Sequence, residues 1–486
     1  MTSKILINAV DPEESRIAKV TDNRLEEFNI ETTAREITQG NIYKGIVSRV
    51  EPSLQAVFVD YGAEKNGFLQ KQEIHPDYFL DDPSGGQSLK NIIRRGQEIL
   101  VQVSNDPIME KGSMMTTYIS LPGRYTVLMP GGKTRGVSRK VTDEAERKRI
   151  KEIMDSIKIP EDFGIIVRTA GEGCNKTTLQ GDVRYLMRLW KNIKKKGVEE
   201  KAPALLYKDR NIAVRAIRDS FTPDVKEILI DDDTIFQEVR EFIQVISPQH
   251  KKIIKRYQAD KPLFTKYQLE EQIASIFDNR VKLKSGGSIV IEQTEAMVSI
   301  DVNSGKATQK SSFGETALQT NQEAAEEIAR QLRLRDFGGL IVIDFIDMRD
   351  RKHNLKVERT LKNHLKADKA RTKVGRISQF GLLEMSRQRI RPSIRSIHFE
   401  PCGCCQGRGV TPSLESMGLA FLRRLRLETM KKEASRVYGY VPPDVASYLL
   451  NRKKGEILDL EIRRNITITV EGDGNLLPGE NRIEYE

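Results

Sequence analysis

The sequence predicts an α/β multidomain chain in which a small β-barrel interrupts one α/β unit and a second α/β unit follows. Three observations carry this. The chain has 486 residues, enough for about three domains of roughly 150 residues each. Its first thirty residues alternate like strands (KILIN, SRIAKV, LEEFNIE) between the turn sequences DPEE and DN, a meander too short to be a domain. Strand–helix alternation returns only near Ala204, so residues 40 to about 204 read as an insertion between that meander and the strands that complete it.

From Gly40, NIYKGIVSRVEPSLQAVFVDYGAEKNGFLQ runs in short β-rich pieces punctuated by Glu51-Pro52 and Gly62, the texture of a small barrel. A polar loop, DDPSGGQSLKN, precedes the strand EILVQVSN, and sheet character continues through TTYISL and YTVLMP to about Val141. A charged helix (TDEAERKRIKEIMDSI), a strand (FGIIVRTAG) and a basic helix carrying Trp190 (GDVRYLMRLWKNIKKKG) follow. Beyond LLYKD, IAVRAI, EILID and TIFQEVREFIQVI come a hairpin (GSIVIEQTEAMVSIDVNS), a long helix and GLIVIDFIDM. The continuous apolar run of that last segment predicts a strand covered on both faces. PCGCCQGRG then separates an Arg-rich segment from a C-terminal module of helix plus strands.

Composition narrows the function classes. Hydrophobic residues make up 38% and charged residues 31%, with mean hydropathy −0.48, and no run approaches the ~18 apolar residues of a spanning helix. MTSKILINAV has no cleavable apolar region, so no secretory leader is expected. Three of the four cysteines fall at 402, 404 and 405, a cluster that argues for a reducing, cytoplasmic compartment and against a disulfide framework. The net charge of +11 favours a polyanionic partner, nucleic acid first.

The most informative chemistry lies in SIDVNS and VIDFIDM. Side chains alternate along a strand, so Asp301 and Asn303 share one face, and GLIVID ends in Asp344. Carboxylates at strand ends among apolar residues are costly unless paired or bound to a cation. Two such groups plus an amide suit Mg²⁺, which takes oxygen ligands and keeps several waters. Parity places Asp347 opposite Asp344, as support and not as a ligand. Alternatively these residues cap turns or pair with Arg349 or Arg351.

PCGCCQGRG offers Cys402 and Cys405 at CxxC spacing, half of a four-ligand zinc site, with His398 nearby and alone. Sharing between two chains would complete it; a free-thiol loop or redox pair is the plainer reading. Phe58, Tyr61 and Phe68 lie in the barrel segment, where exposed aromatics can stack RNA bases and buried ones build core. Asp233 reads as a helix N-cap. GEGCNKTT fails the phosphate-loop pattern because Asn175 stands where glycine must precede the lysine. KNIKKKG and FLRRLRLETMKK read as solvated helix faces.

Taken together, FVDYGAEKNGFL, IVRTAG, SGGSIVIEQTEA, SIDVNS, EIARQLRLRDFGGLIVIDFIDM and FGLLEMSRQR resemble the bacterial RNase E/RNase G family across essentially the whole chain. With no long C-terminal scaffold visible, the chain looks most like ribonuclease G, or a short-form E. The resemblance implies an RNase H-like subdomain (1–38 and 205–278) interrupted by an S1-type OB fold (39–122) and a 5′-sensor region (123–204). It further implies a DNase I-like catalytic subdomain (279–398), a zinc link (399–410) and a small α+β oligomerisation domain (411–486).

By family motif, Asp301 and Asp344 match the catalytic Mg²⁺ carboxylates and Asn303 the nearby amide. Phe58, Phe68 and Lys111 match RNA-contacting positions. Gly123, Val127, Arg168 and Thr169 match a pocket for a 5′-monophosphate, with Arg371 in support. Cys402 and Cys405 match thiolates of a Zn²⁺ shared between chains; here CGCC replaces the usual CPxC, so Cys404 competes. The implied protein is a cytoplasmic endoribonuclease cutting single-stranded A/U-rich RNA to 5′-phosphate and 3′-hydroxyl ends, in rRNA and tRNA processing and mRNA decay. It would assemble with itself through the zinc link as a dimer, then as a dimer of dimers, without membrane or degradosome partners. Two other readings stay open: a non-catalytic S1-type RNA-binding or translation-associated protein, and a DNA nuclease using the same metal site.

Overall fold

The N-terminal meander forms as three strands, Ser3–Asn8, Glu14–Thr21 and Arg24–Thr32. Asp22 and Asn23 make the second turn, both at positive φ (48° and 64°), a conformation that Asn and Asp tolerate better than most residues. The computed structural model describes residues 2–32, 38–80, 89–106, 112–209, 211–222, 224–305, 313–389, 394, 399–431 and 435–486. They fall into two compact units, Met1–Ile394 and Arg395–Glu486.

In the first unit, Val225–Ile230 and Ile254–Arg256 add to the meander in parallel, through the pairing of Val225–Ile230 with Ser3–Asn8. Successive residues of Ser3–Asn8 point to opposite faces, and both faces are buried. Ile5 and Ile7 pack with Ile217, Phe242 and Ile243 from the helices Ile212–Ser220 and Asp233–Ile246. Leu6 packs on the other side with Phe28, Phe264 and Leu269. Asp232 caps the helix Asp233–Ile246, accepting from Ile235 N–H. The expectation for Asp233 is therefore off by one residue: it is the first helical residue and pairs with Arg256.

Between these parts, Ile42–Glu51, Ala56–Asp60, Gly67–Gln70, Met114–Thr116 and Glu98–Asn105 form a five-stranded barrel. The pairing of residues 42–46 with 98–102 closes it. Val47, Val57, Val59, Leu69, Val101 and Met115 fill its interior. A second sheet follows, ordered Arg135–Val137, Phe163–Val167, Thr126–Pro130, Leu121–Pro122. It shares a core with the helices Glu144–Asp155 and Lys176–Glu199, where Trp190 and Ile193 turn inward and most of the lysines stay exposed. Asn175 caps the latter helix, accepting from Thr178 N–H.

The last sheet of this unit runs Arg280–Lys282, Ser288–Gln293, Met297–Asn303, Gly339–Asp344, Leu382–Arg387, Thr372–Ile377. Met297–Asn303 and Gly339–Asp344 are parallel neighbours joined across the long helix Phe313–Arg335. One face carries Ile300, Ile341, Ile343 and Met385 into a core shared with Ala325 and Ile328 of that helix and Val357 and Leu361 of Arg351–Leu365. The opposite face is open: Leu340 is 47% exposed and Val342 only half-buried. The GLIVID strand is thus covered on one face and not on two, because both helices pack on the same side.

The second unit is a three-stranded sheet with Arg436–Val441 central, parallel to Thr467–Gly472 and antiparallel to Arg482–Tyr485. The helices Leu414–Lys431, Pro443–Arg452 and Lys454–Arg464 pack with it. Among the described residues no helix is long and apolar enough to cross a membrane.

Candidate functional site

The open face positions the acidic pair. Asp301 and Asp344 are direct partners in the parallel register, Asp301 beside Asp344, and both are exposed. Asn303, two residues along the same face, donates from Nδ2 to Asp301 Oδ2 at 2.6 Å, fixing that carboxylate's orientation. Modest burial and the like charges of Asp301 and Asp347 push the Asp344 carboxyl above its usual range. A cation between the carboxylates would relieve that repulsion. Among the described residues, neither Arg349 nor Arg351 forms an ion pair with them.

Asp347 lies closer to the pair than strand parity suggests. The strand stops at Asp344, so alternation no longer governs the loop beyond it. A Cβ on Gly381 would sit 3.0 Å from Asp347 Oδ1 and 3.9 Å from Asp344 Oδ1, so both carboxylates border one glycine, itself at φ +81°. The loop is clamped by Asn321, fully buried in the long helix: its Nδ2 donates to Ile346 O at 2.7 Å, and its Oδ1 accepts from Ile346 N–H at 3.0 Å. Nothing in TALQTNQEA separates this asparagine from a solvated helix residue, so sequence reasoning missed it. No three His, Cys, Asp or Glu side chains converge into a metal cage among the described residues. Two carboxylates with room for water remain, which is how Mg²⁺ is commonly held.

A second cluster forms at the end of the 121–167 sheet. Arg168 Nη1 donates to Gly123 O at 2.8 Å and Nη2 to Asp219 Oδ1 at 2.6 Å. Those two bonds orient the guanidinium and leave three of its five N–H donors for an anion. Val127 stands in the neighbouring strand opposite Ile166, and exposed Thr169 has its hydroxyl 3.4 Å from Ser138 Oγ. Asp182 fixes the turn from below, accepting from the N–H groups of Arg124, Tyr125 and Thr126 and from Thr126 Oγ1. Burial raises the Asp182 pKa against those four donors. A side chain on Gly123 would strike this carboxylate, since its Cβ would lie 2.5 Å from Asp182 Oδ2.

Lys140 ties Arg371 to this cluster. Its ammonium donates to the carbonyls of Asp368 (2.8 Å), Lys369 and Ala370 (3.3 Å), the segment leading into Arg371. Burial pushes the ammonium below its usual pKa; Asp368 opposes this, while Lys369, Arg371 and Arg387 add to it. The segment is also anchored from within, where the buried Asp368 takes two bonds from Arg387 at 2.7 and 3.1 Å. Lys140 and Asp182 were invisible as site residues because each acts on backbone far away in sequence.

On the barrel, Phe58 and Phe68 are opposite partners with ring centroids 5.8 Å apart at 69°. Arg49 lies 4.6 Å over the Phe58 ring. Both rings are half-buried between the fully buried Val57, Val59 and Leu69, and so face outward. Tyr61 instead belongs to the barrel core, bonded to Ser113 Oγ. Lys111 lies outside the described residues, as does His398.

In the second unit, the backbone N–H groups of Cys405 and Cys404 hold the Cys402 thiol below its usual pKa. Gly409 N–H donates to Cys405 Sγ at 3.3 Å. Both CxxC sulfurs thus accept backbone N–H groups, in the manner of thiolates that ligate metals.

The first unit thus carries an acidic pair suited to a cation, an arginine cluster suited to an anion, and an outward-facing aromatic pair on the barrel. Sequence comparison places the chain. A profile described as "Ribonuclease E/G family" matches residues 120–390, and one described as "RNase E/G, Thioredoxin-like domain" matches 401–486. The chain is 46% identical over 470 residues to Ribonuclease E of Haemophilus influenzae, covering 96% of this chain and 50% of that one. It is 44% identical to Ribonuclease E of Escherichia coli strain K12, over 95% of this chain and 44% of that one. Ribonuclease G of the same strain is 36% identical over 95% of each chain. The chain belongs to the ribonuclease E/G family. It spans about half the length of the ribonuclease E relatives and nearly all of ribonuclease G.

Proposed function

We propose that this chain is an endoribonuclease that cuts single-stranded, A/U-rich RNA, prefers a 5′-monophosphate, and works in RNA processing and decay. The observation that carries the reading is the in-register pairing of Asp301 with Asp344 on an open sheet face. These two carboxylates would hold Mg²⁺, which when bound supplies an activated water and neutralises charge developing at phosphorus. Asn303 keeps Asp301 oriented, and the Asn321 clamp keeps the 345–348 loop and Asp347 in place. Phe58 and Phe68 would stack bases, and Lys111 would contact phosphate. Gly123, Val127, Arg168, Thr169 and Arg371 would receive the 5′-phosphate. The RNase H-like, S1-type and DNase I-like assignments belong to this reading, as does a Zn²⁺ shared by Cys402 and Cys405 of two chains.

The test is Mg²⁺-dependent cleavage of a 5′-monophosphorylated A/U-rich oligoribonucleotide. Asp301→Asn and Asp344→Asn should each abolish cutting and leave RNA binding largely intact, since phosphate contacts come mainly from cationic residues. Full turnover by either variant would end the assignment. A purely RNA-binding role leaves the paired carboxylates without a purpose. Equal cutting of DNA of the same sequence would favour the DNA nuclease reading.

A further inference from the structure

Phe380 is 73% exposed, and a solitary exposed phenylalanine ordinarily needs no explanation. Its position supplies one. It sits in the turn between the strands Thr372–Ile377 and Leu382–Arg387, and that turn is tightly built. Ser378 N–H donates to Leu382 O at 2.8 Å and Gly381 N–H to Ser378 O at 3.1 Å. Phe380 N–H donates to Ser378 Oγ at 3.2 Å.

The turn abuts the acidic pair. Leu382 is the register partner of Asp344, Phe345 N–H faces Gly381 O at 3.4 Å, and Gly381 borders the carboxylates of both Asp344 and Asp347. Phe380 is the next residue, so its Cα lies about 3.8 Å from that of Gly381. The backbone of Phe380 is therefore fixed one residue from the glycine that borders the carboxylates, while the residue is largely exposed to solvent. With a cation on the carboxylate pair to receive the phosphate, a neutral π-face nearby can take the adjoining base without adding charge. Arg376 and Lys373, both exposed on the adjoining edge strand, are available to the backbone of the same strand of nucleic acid.

We propose that Phe380 is a substrate-positioning residue, the platform on which the RNA base next to the cleaved phosphodiester stacks. This rests on the endoribonuclease reading and adds a contact to it. Stacking on one aromatic side chain tolerates any base and would seat the reacting phosphate at the carboxylate pair.

The experiment uses the full chain, Mg²⁺, and a set of single-stranded oligoribonucleotides carrying one abasic nucleotide at successive positions around the cut. Phe380→Ala should lower kcat/KM on the intact strand about tenfold, and Phe380→Trp should restore it. On the strand whose abasic nucleotide faces residue 380, wild type and Phe380→Ala should cut equally. No loss for Phe380→Ala on the intact strand, or the same loss on every abasic strand, overturns the proposal. A wild-type chain that fails to cut RNA overturns the endoribonuclease reading itself, whereas an active wild type with an indifferent Phe380→Ala removes only the platform.

Discussion

Replacing Asn321 by alanine tests whether the acidic loop depends on a side chain buried in the helix Phe313–Arg335. The side chain is fully buried and satisfies both backbone groups of Ile346. Truncation leaves an N–H and a C=O facing a small cavity. Each unsatisfied buried group costs about 1–3 kcal/mol, so the expected loss is about 2–6 kcal/mol, smaller if water enters. Asn321→Asp keeps the acceptor for Ile346 N–H but sets a carboxylate against Ile346 O, and should also destabilise. Calorimetry on wild type and both variants reads the stability. Single-turnover cleavage at saturating RNA reads the chemistry, which should slow because the 345–348 loop no longer holds Asp347 beside Asp344. An Asn321→Ala variant that melts and cuts like wild type would refute the clamp.

Further outcomes follow from the same geometry. Lys140→Met should reduce the preference for 5′-monophosphate over 5′-hydroxyl RNA several-fold without abolishing 5′-hydroxyl cutting, and Lys140→Arg should recover part of it; paired rate measurements decide. Asp368→Ala leaves Arg387, which is 2% exposed, with only Phe337 O and the longer 3.7 Å pair to Asp336, and should cost about 3 kcal/mol in denaturant unfolding. Burial alone would raise the Asp219 carboxyl, but Arg218 and Arg168 hold it down at about 2. With the folded value below the ordinary one, its stabilisation is complete above about pH 4 and is lost as pH falls through 2. That amounts to about 2 kcal/mol, and Asp219→Asn should remove this part of the acid slope in melts from pH 2 to 5. Metal analysis should find about half a zinc per chain, and Cys402→Ser with Cys405→Ser should lose it; a full zinc per chain would mean each chain completes its own site.

Local pattern revealed what local pattern controls. Period-two alternation placed Asp301 and Asn303 on one face, and Gly and Pro spacing marked the barrel strands. It failed where tertiary packing decides. GLIVID reads as doubly covered, yet both helices lie on one side and Leu340 is left exposed. Parity sent Asp347 away from Asp344, but the strand ends before parity can apply. The helix SLESMGLAFLRRLRLE reads as offering Met417, Leu419, Phe421 and Leu422 to a partner, whereas Phe421 and Leu422 are buried in their own core, Met417 packs against it, and Leu419 is half-buried. The exposed apolar residues of that unit include Leu427, Met430, Leu450, Leu458 and Ile462. Residues that work on distant backbone, such as Lys140, Asp182 and Asn321, carry no local signature at all.

The sheet shared by Ser3–Asn8 and Val225–Ile230 also sets a timetable for synthesis. At roughly 5–20 residues per second, the first strand leaves the ribosome about 10–45 s before its parallel neighbour exists. During that interval one edge of the meander has no strand to pair with, a condition that invites association with other chains. The barrel strands lie within residues 42–116, so they are complete long before the host sheet. The inserted element can fold first, and a pause or a chaperone acting before residue 230 would protect the strand that has waited longest.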